Sequence, residues 1–206
     1  MRIISIMSAL IAAVVLASGS PPLAAQLPDT AGNRAVRRLP ANAVSVPFKV
    51  GERLEYEVRF GSLKVGTGSM EVREIAEIRG RPAWHTVFTI SGGIPLYRVN
   101  DLYESWFDVT TLNSLRYHQD VDEGSYERRR RYEIFPERGV FRENDRPEEP
   151  TVSNPLDDGS FLYFIRTVPL EVGQSYEYAR YFQAAGNPVR IRVVRKETIT
   201  VPGGTF

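Results

Sequence analysis

The chain has no cysteine among its 206 residues and only two histidines, His85 and His118. Without cysteine there is neither a disulfide nor a thiol to carry a lipid anchor, so the fold must rest on burial and backbone pairing even in an oxidising compartment. Without an HxH or HExxH spacing, a metal site would need both histidines and several carboxylates to meet through folding alone. No metal is expected, and the histidines read as ordinary strand residues. No glycine-flanked serine elbow and no phosphate-cradling loop occur, so no cofactor is expected either. A surplus of one charge is also missing: without residues 1–25 the basic count falls from 26 to 25 and the acidic count stays at 25. That balance argues against a general nucleic-acid binder, which needs a basic face.

Long apolar runs are scarce as well. The single one, Ile3–Ala17, spans about 15 residues and contains Ser5 and Ser8, short of the roughly 20 needed to cross a bilayer. Arg2 precedes it, and a small-residue and proline segment ending at Ala25 follows. This is the pattern of a secretory signal peptide over 1–25, with cleavage expected after Ala25 and Ala17-Ser18-Gly19 as a competing site. Export to the cell envelope is expected, with a mature chain that is not transmembrane. Residues 26–47 hold Pro28, Gly32, Pro40 and Pro47 among small polar residues and show no apolar periodicity, which reads as a flexible linker. The remaining residues, 48–206, are enough for one substantial core and are expected to form a single β-rich domain.

From Glu52 the hydrophobic period is two. Leu54, Tyr56, Val58 and Phe60 alternate with charged residues, and Gly61-Ser62 supplies a turn into Val65–Ile75. Ala83–Ser91, Tyr97–Val109, Leu115–Asp122, Ser125–Phe135 and Val140–Asn144 alternate likewise between turn signals. Gly66 and Gly68, two apart on one face, predict a bend. The pattern predicts a mainly β protein, a curved antiparallel sheet or open barrel. Asp157-Asp158-Gly159-Ser160 followed by Phe161, Leu162 and Ile165 predicts one short helix near 157–167, capped by either aspartate and stopped by Pro169 and Gly173. Strands are expected again over Gln174–Gln183 and Pro188–Ile199.

Three blocks of residues carry a resemblance. They are Gly51-Glu52-x-Leu54-x-Tyr56, Tyr103-Glu104-Ser105-x-Phe107-Asp108-x-x-Thr111-Leu112, and Asp158-x-Ser160-x-Leu162-Tyr163-x-Ile165-Arg166-x-x-Pro169-Leu170-x-x-Gly173. With Val201-Pro202-x-Gly204-Thr205-Phe206 at the end, they resemble the bacterial exported family catalogued as domain of unknown function 3108, over Pro47–Phe206. The resemblance implies a periplasmic or envelope location and a β-rich fold, and no catalytic residues. Similar proteins continue with further strands, so the domain is expected to lack its C-terminal part.

The aromatic residues suggest a ligand surface. An open sheet closed by one helix can enclose an aromatic-lined space for a lipid or other apolar ligand, with Trp84, Phe88, Trp106 and Phe161 as its wall. Arg128-Arg129-Arg130-Arg131 lies within a strand, which sends two arginines to each face. Asp120, Asp122 and Glu123 are expected to pair with them across the hairpin, and a headgroup phosphate is the anion they would suit. The leading expectation is a noncatalytic envelope protein that binds an apolar ligand. An assembly or structural factor contacting another envelope protein is the alternative. A hydrolase using Asp157, Asp158 and His118 ranks lower, because helix capping already accounts for the aspartates.

Overall fold

The computed structural model describes residues 39–60 and 62–206. The expected signal peptide, residues 26–38 of the expected linker and Gly61 of the first turn lie outside the described residues. One compact unit ends at Val194, and the described part of a second is 195–206. In the latter, β11 (Thr200–Val201) and β12 (Gly204–Thr205) form a small hairpin.

The first unit is built on eight antiparallel strands that pair in chain order and do not close into a barrel. They are β1 (Arg53–Phe60), β2 (Leu63–Ile78), β3 (Arg81–Ile94), β4 (Tyr97–Asp108), β5 (Ser114–Glu123), β6 (Tyr126–Phe135), β7 (Val140–Glu143) and β8 (Glu149–Pro150). Short turns at the expected signals make this meander; Arg79-Gly80, with positive φ at both residues, joins β2 to β3.

Register then decides which side chains share a face. Trp84 lies opposite Phe107, and His85 opposite Trp106. A bulge between Val72 and Glu74 re-phases β2, so that Ile75 faces Trp84 and Glu74 faces His85. One face gathers Met70, Val72, Ile75, Trp84, Phe107 and Val109, closed over by Phe48, Leu112 and Tyr163. Phe48 stands edge-on to both Trp84 and Tyr163, with ring centroids 5.1 and 4.9 Å apart. A smaller cluster on the other face holds Ile78, Ala83, Trp106 and Leu115.

The helix α1 (Asp158–Phe164) lies on the Trp84 face. Asp157 caps it: its carboxylate accepts from the Ser160 N–H at 2.9 Å, and the Ser160 hydroxyl accepts from the Asp157 N–H at 2.9 Å. This reciprocal pair satisfies two donors that a helix start leaves free. A 3₁₀ turn over Ile165–Thr167 ends it, and Val168, before Pro169, is extended. Arg166 then ties the helix end to the start of the sheet, its guanidinium donating to both oxygens of Glu52 at 2.6 and 3.1 Å.

Residues 39–47 of the expected linker run against the sheet. The Val44 N–H donates to the Val109 carbonyl at 2.9 Å, and Ala43 and Val46 pack on the core. The late strands are shorter than their alternation suggests: β9 (Ser175–Tyr178) pairs with β10 (Val189–Arg192). After Tyr178 the chain leaves that hairpin to bridge Leu156 and bury Phe182 among Tyr117, Tyr132 and Phe141. Burying one more aromatic outweighs extending a two-stranded ladder.

Candidate functional site

The first candidate is the acidic start of α1. Asp157 is completely buried. Beyond its capping bonds it accepts from the Ser105 hydroxyl at 2.8 Å, and its N–H also donates to the Ser114 hydroxyl at 2.7 Å. Burial pushes its carboxyl up to about 6, against the hydrogen bonds from Ser160, Ser114 and Ser105. Asp158 is half-buried and accepts from the Tyr117 hydroxyl at 2.8 Å, with Gln119 and Tyr181 at 3.4 and 3.5 Å. Burial raises its carboxyl too. These bonds lock the helix to β4 and β5. The hydrolase constellation is not assembled, because His118 alternates with Tyr117 and points to the opposite face of β5.

The four aromatics proposed as a ligand wall occupy three places. Trp84 is buried beneath Phe48 in the core. Trp106 is on the other face, because register sets it opposite His85 and not opposite Trp84. Phe161 turns from the sheet toward the β9–β10 hairpin, 6.1 Å from the Tyr178 ring. Phe88 alone borders a gap between α1 and the sheet, lined also by Met70, Thr86, Tyr103, Tyr117 and Leu162. That gap has a volume of about 10 Å³, room for one water and not for an acyl chain. The helix and the aromatic rings themselves fill the place reserved for a ligand.

Past the Phe88 row the same face continues through Tyr56, Ile90, Asp101, Val121 and Arg128. Asp101 is buried and accepts from the Tyr103 hydroxyl at 3.2 Å and the Asp122 N–H at 3.0 Å. Burial raises both its carboxyl and that of Glu123, with Asp101 holding Glu123 higher still.

The arginine run splits between faces as its alternation requires. Arg131 pairs with Asp120 at 2.6 Å, and Arg130 with Glu143 at 3.3 Å. Arg129 is exposed. Arg128 is half-buried beside the Tyr126 ring, 5.7 Å from its centroid, and its buried Nε has no hydrogen-bond partner. It makes no ion pair among the described residues.

The other face carries a cluster that sequence reasoning missed. His85 stacks on Trp106 at 4.3 Å, and His118 meets the same ring edge-on at 4.8 Å. Glu104 sits between them, 3.1 Å from His85 Nε2 and 4.0 Å from His118 Nδ1. The hydrogen bond from His85 lowers the Glu104 carboxyl, while burial and the guanidinium groups of Arg131 and Arg116 lower His118 to about 4. The two histidines are 33 positions apart, and only the shared neighbour β4 brings them together; two adjacent hairpins were the available signal. Among the described residues, no three histidine or acidic side chains form a group that could hold a metal ion.

A family described as Protein of unknown function (DUF3108) matches residues 55–206. The chain belongs to that family. Neither the curated proteins nor the solved structures contain a match to it. Within the DUF3108 match, the blocks that carry the resemblance bind one another: Ser105 of the second reaches Asp157 beside the third, and Phe107 packs near Tyr163, ring centroids 5.8 Å apart. Glu52, just before the matched span, holds Arg166 within it. Asp108 accepts from the Thr110 and Thr111 N–H groups at 2.8 and 2.9 Å and pairs with Arg81. These residues hold the DUF3108 fold together, whereas Arg128 makes no ion pair among the described residues and its Nε has no hydrogen-bond partner.

Proposed function

We propose that this protein is a noncatalytic component of the bacterial cell envelope that binds an apolar ligand bearing an anionic head on the helix face of its sheet. Arg128 carries the reading. An unpartnered buried donor on a cation costs free energy that a phosphate or carboxylate would recover, and a guanidinium suits either anion. The apolar side chains beside Arg128 on this face are Ile90 and Val121, both buried, with the half-buried Phe88 one row away. Because the space under α1 holds only a water, the ligand lies along the Phe88–Arg128 end of the face and not in the core. Export is supported by Arg2, the run Ile3–Ala17 and the small residues ending at Ala25. The absence of catalysis is argued from Asp157, whose carboxylate oxygens are occupied by capping and by Ser105.

The test is native mass spectrometry of the protein isolated from its own envelope, followed by organic extraction of bound material. An anionic amphiphile is expected to co-purify with the wild type, and its occupancy is expected to fall about tenfold in R128A, the loss of one charge-assisted hydrogen bond. An unliganded mass for the wild type, or equal occupancy in R128A, would remove this reading.

A further inference from the structure

Large apolar side chains stand in solvent at the tip of the β3–β4 hairpin. Leu96 is fully exposed, Ile94 is 53% exposed and Tyr97 42%. Leu63, at the start of neighbouring β2, is 61% exposed. Register brings these residues to one end of the sheet: Gly66 faces Gly92, so the beginning of β2 and the end of β3 leave the ladder side by side. Leu96 is doubly disfavoured there. Its φ of 71° lies in the left-handed region, where a branched side chain is strained, and its isobutyl group contacts water. A tip with only the task of turning the chain would favour glycine or asparagine.

The charge around the tip is mostly basic, with Glu57 and Glu123, the latter in register with Val99, as the acidic side chains beside it. No aspartate or glutamate occurs from Val58 to Met70 or from Ile78 to Asn100, while Arg59, Lys64 and Arg98 fall within those stretches. Arg59 and Lys64 share a single counter-charge, Glu57, at 2.7 and 3.1 Å. Arg98 is exposed and makes no ion pair among the described residues. Exposed leucine and isoleucine with an adjacent tyrosine, backed by basic residues, match the layers of a bilayer surface: acyl chain, interface, anionic headgroup.

We infer that this end of the sheet docks on an anionic lipid bilayer, with Leu96 and Ile94 entering the acyl boundary, Tyr97 at headgroup depth, and Lys64 and Arg98 on the headgroup phosphates. The inference stands on the tip alone and is independent of ligand binding at Arg128.

Co-sedimentation of the chain from Gln26 to Phe206, without the apolar run Ile3–Ala17, tests it on vesicles of phosphatidylglycerol mixed with phosphatidylcholine against phosphatidylcholine alone. The chain is expected to sediment with the anionic vesicles and to lose that preference in K64E/R98E. L96G relieves the backbone strain while deleting the apolar group, so it should fold at least as stably yet partition roughly tenfold less well, as expected for removing a buried leucine side chain. L96W provides a second readout: lipids brominated near the glycerol end of their acyl chains should quench its added fluorescence. No sedimentation with either vesicle, undiminished partition of L96G, or an unquenched L96W tryptophan would each overturn the inference.

Discussion

Asp157 and His118 pull stability in opposite directions over the same pH range. The Asp157 carboxyl rises from 3.8 to about 6 on folding, so the folded state binds its proton more tightly than the unfolded chain does. That stabilisation is complete below about pH 4 and is lost as pH climbs through 6, a change of roughly 3 kcal/mol. His118 falls from 6.5 to about 4, so its contribution is intact above pH 6.5 and is lost as pH drops toward 4. The two largely offset in the wild type. Urea unfolding at a series of pH values should therefore separate them. D157N, which keeps an acceptor for the Ser160 N–H, should lose stability steadily on acidification from pH 6.5 to 4, and H118Q should gain it. Parallel pH profiles for the two variants would contradict this account. Why these two side chains behave so differently from free aspartate and histidine is invisible in their local sequence: Asp157 is raised by burial, against its bond from Ser105, 52 residues away, and His118 is lowered by burial first and then by Arg131.

At the scale of elements, alternation and turn residues made the strands legible, and Asp157 with Ser160 made the helix start legible. Lengths were less so where tertiary contacts compete, as at Phe182, which leaves its expected strand for the core. Gly66 and Gly92 show a further limit. Each faces the other across β2 and β3, and a Cβ on Gly92 would lie 2.3 Å from the Val65 carbonyl oxygen and 2.5 Å from the Gly66 Cα. Backbone cannot yield as a side-chain end can, so G92A should cost about 2 kcal/mol or more. G68A, whose added Cβ meets the Thr89 carbonyl oxygen at 3.3 Å and the Tyr56 Cβ at an ordinary 3.9 Å, should change stability by less than about 1 kcal/mol, the lost chain entropy of the unfolded glycine offsetting the contact. Urea midpoints of the two variants measure the difference. Equal midpoints would mean that the strands separate there at little cost.

For the whole molecule, the sheet is covered unevenly. β3 and β4 are paired on both sides and carry buried clusters on both faces, whereas β1 is an edge and β8 is two residues long. Hydrogen exchange should rank the strands accordingly. Amides of Trp84, Val87 and Phe107 should exchange only on global unfolding, at least ~100-fold more slowly than the outward-facing amides of β1. Uniform protection across the sheet would argue against this layering. The aromatic wall shows how far linear reading reached. Trp84 and Trp106, expected to share one ligand wall, are both buried, but no pattern within either strand states which of them shares a side with the helix.

The amino-acid sequence by itself determined the class of the protein. Period-two alternation, turn residues between short strands and one capped apolar segment suffice for an antiparallel sheet with a single helix, because these preferences act over a few neighbouring residues. Tertiary structure alone decided what the faces contain. Face membership passes from strand to strand through register, and the bulges at Val72/Glu74 and Trp106/Phe107 shift it. A one-residue change there exchanges the two sides of a strand. That register buried Trp84 under Phe48, sent Trp106 to the histidines, and left Arg128 without an ion pair among the described residues on the face that α1 shares.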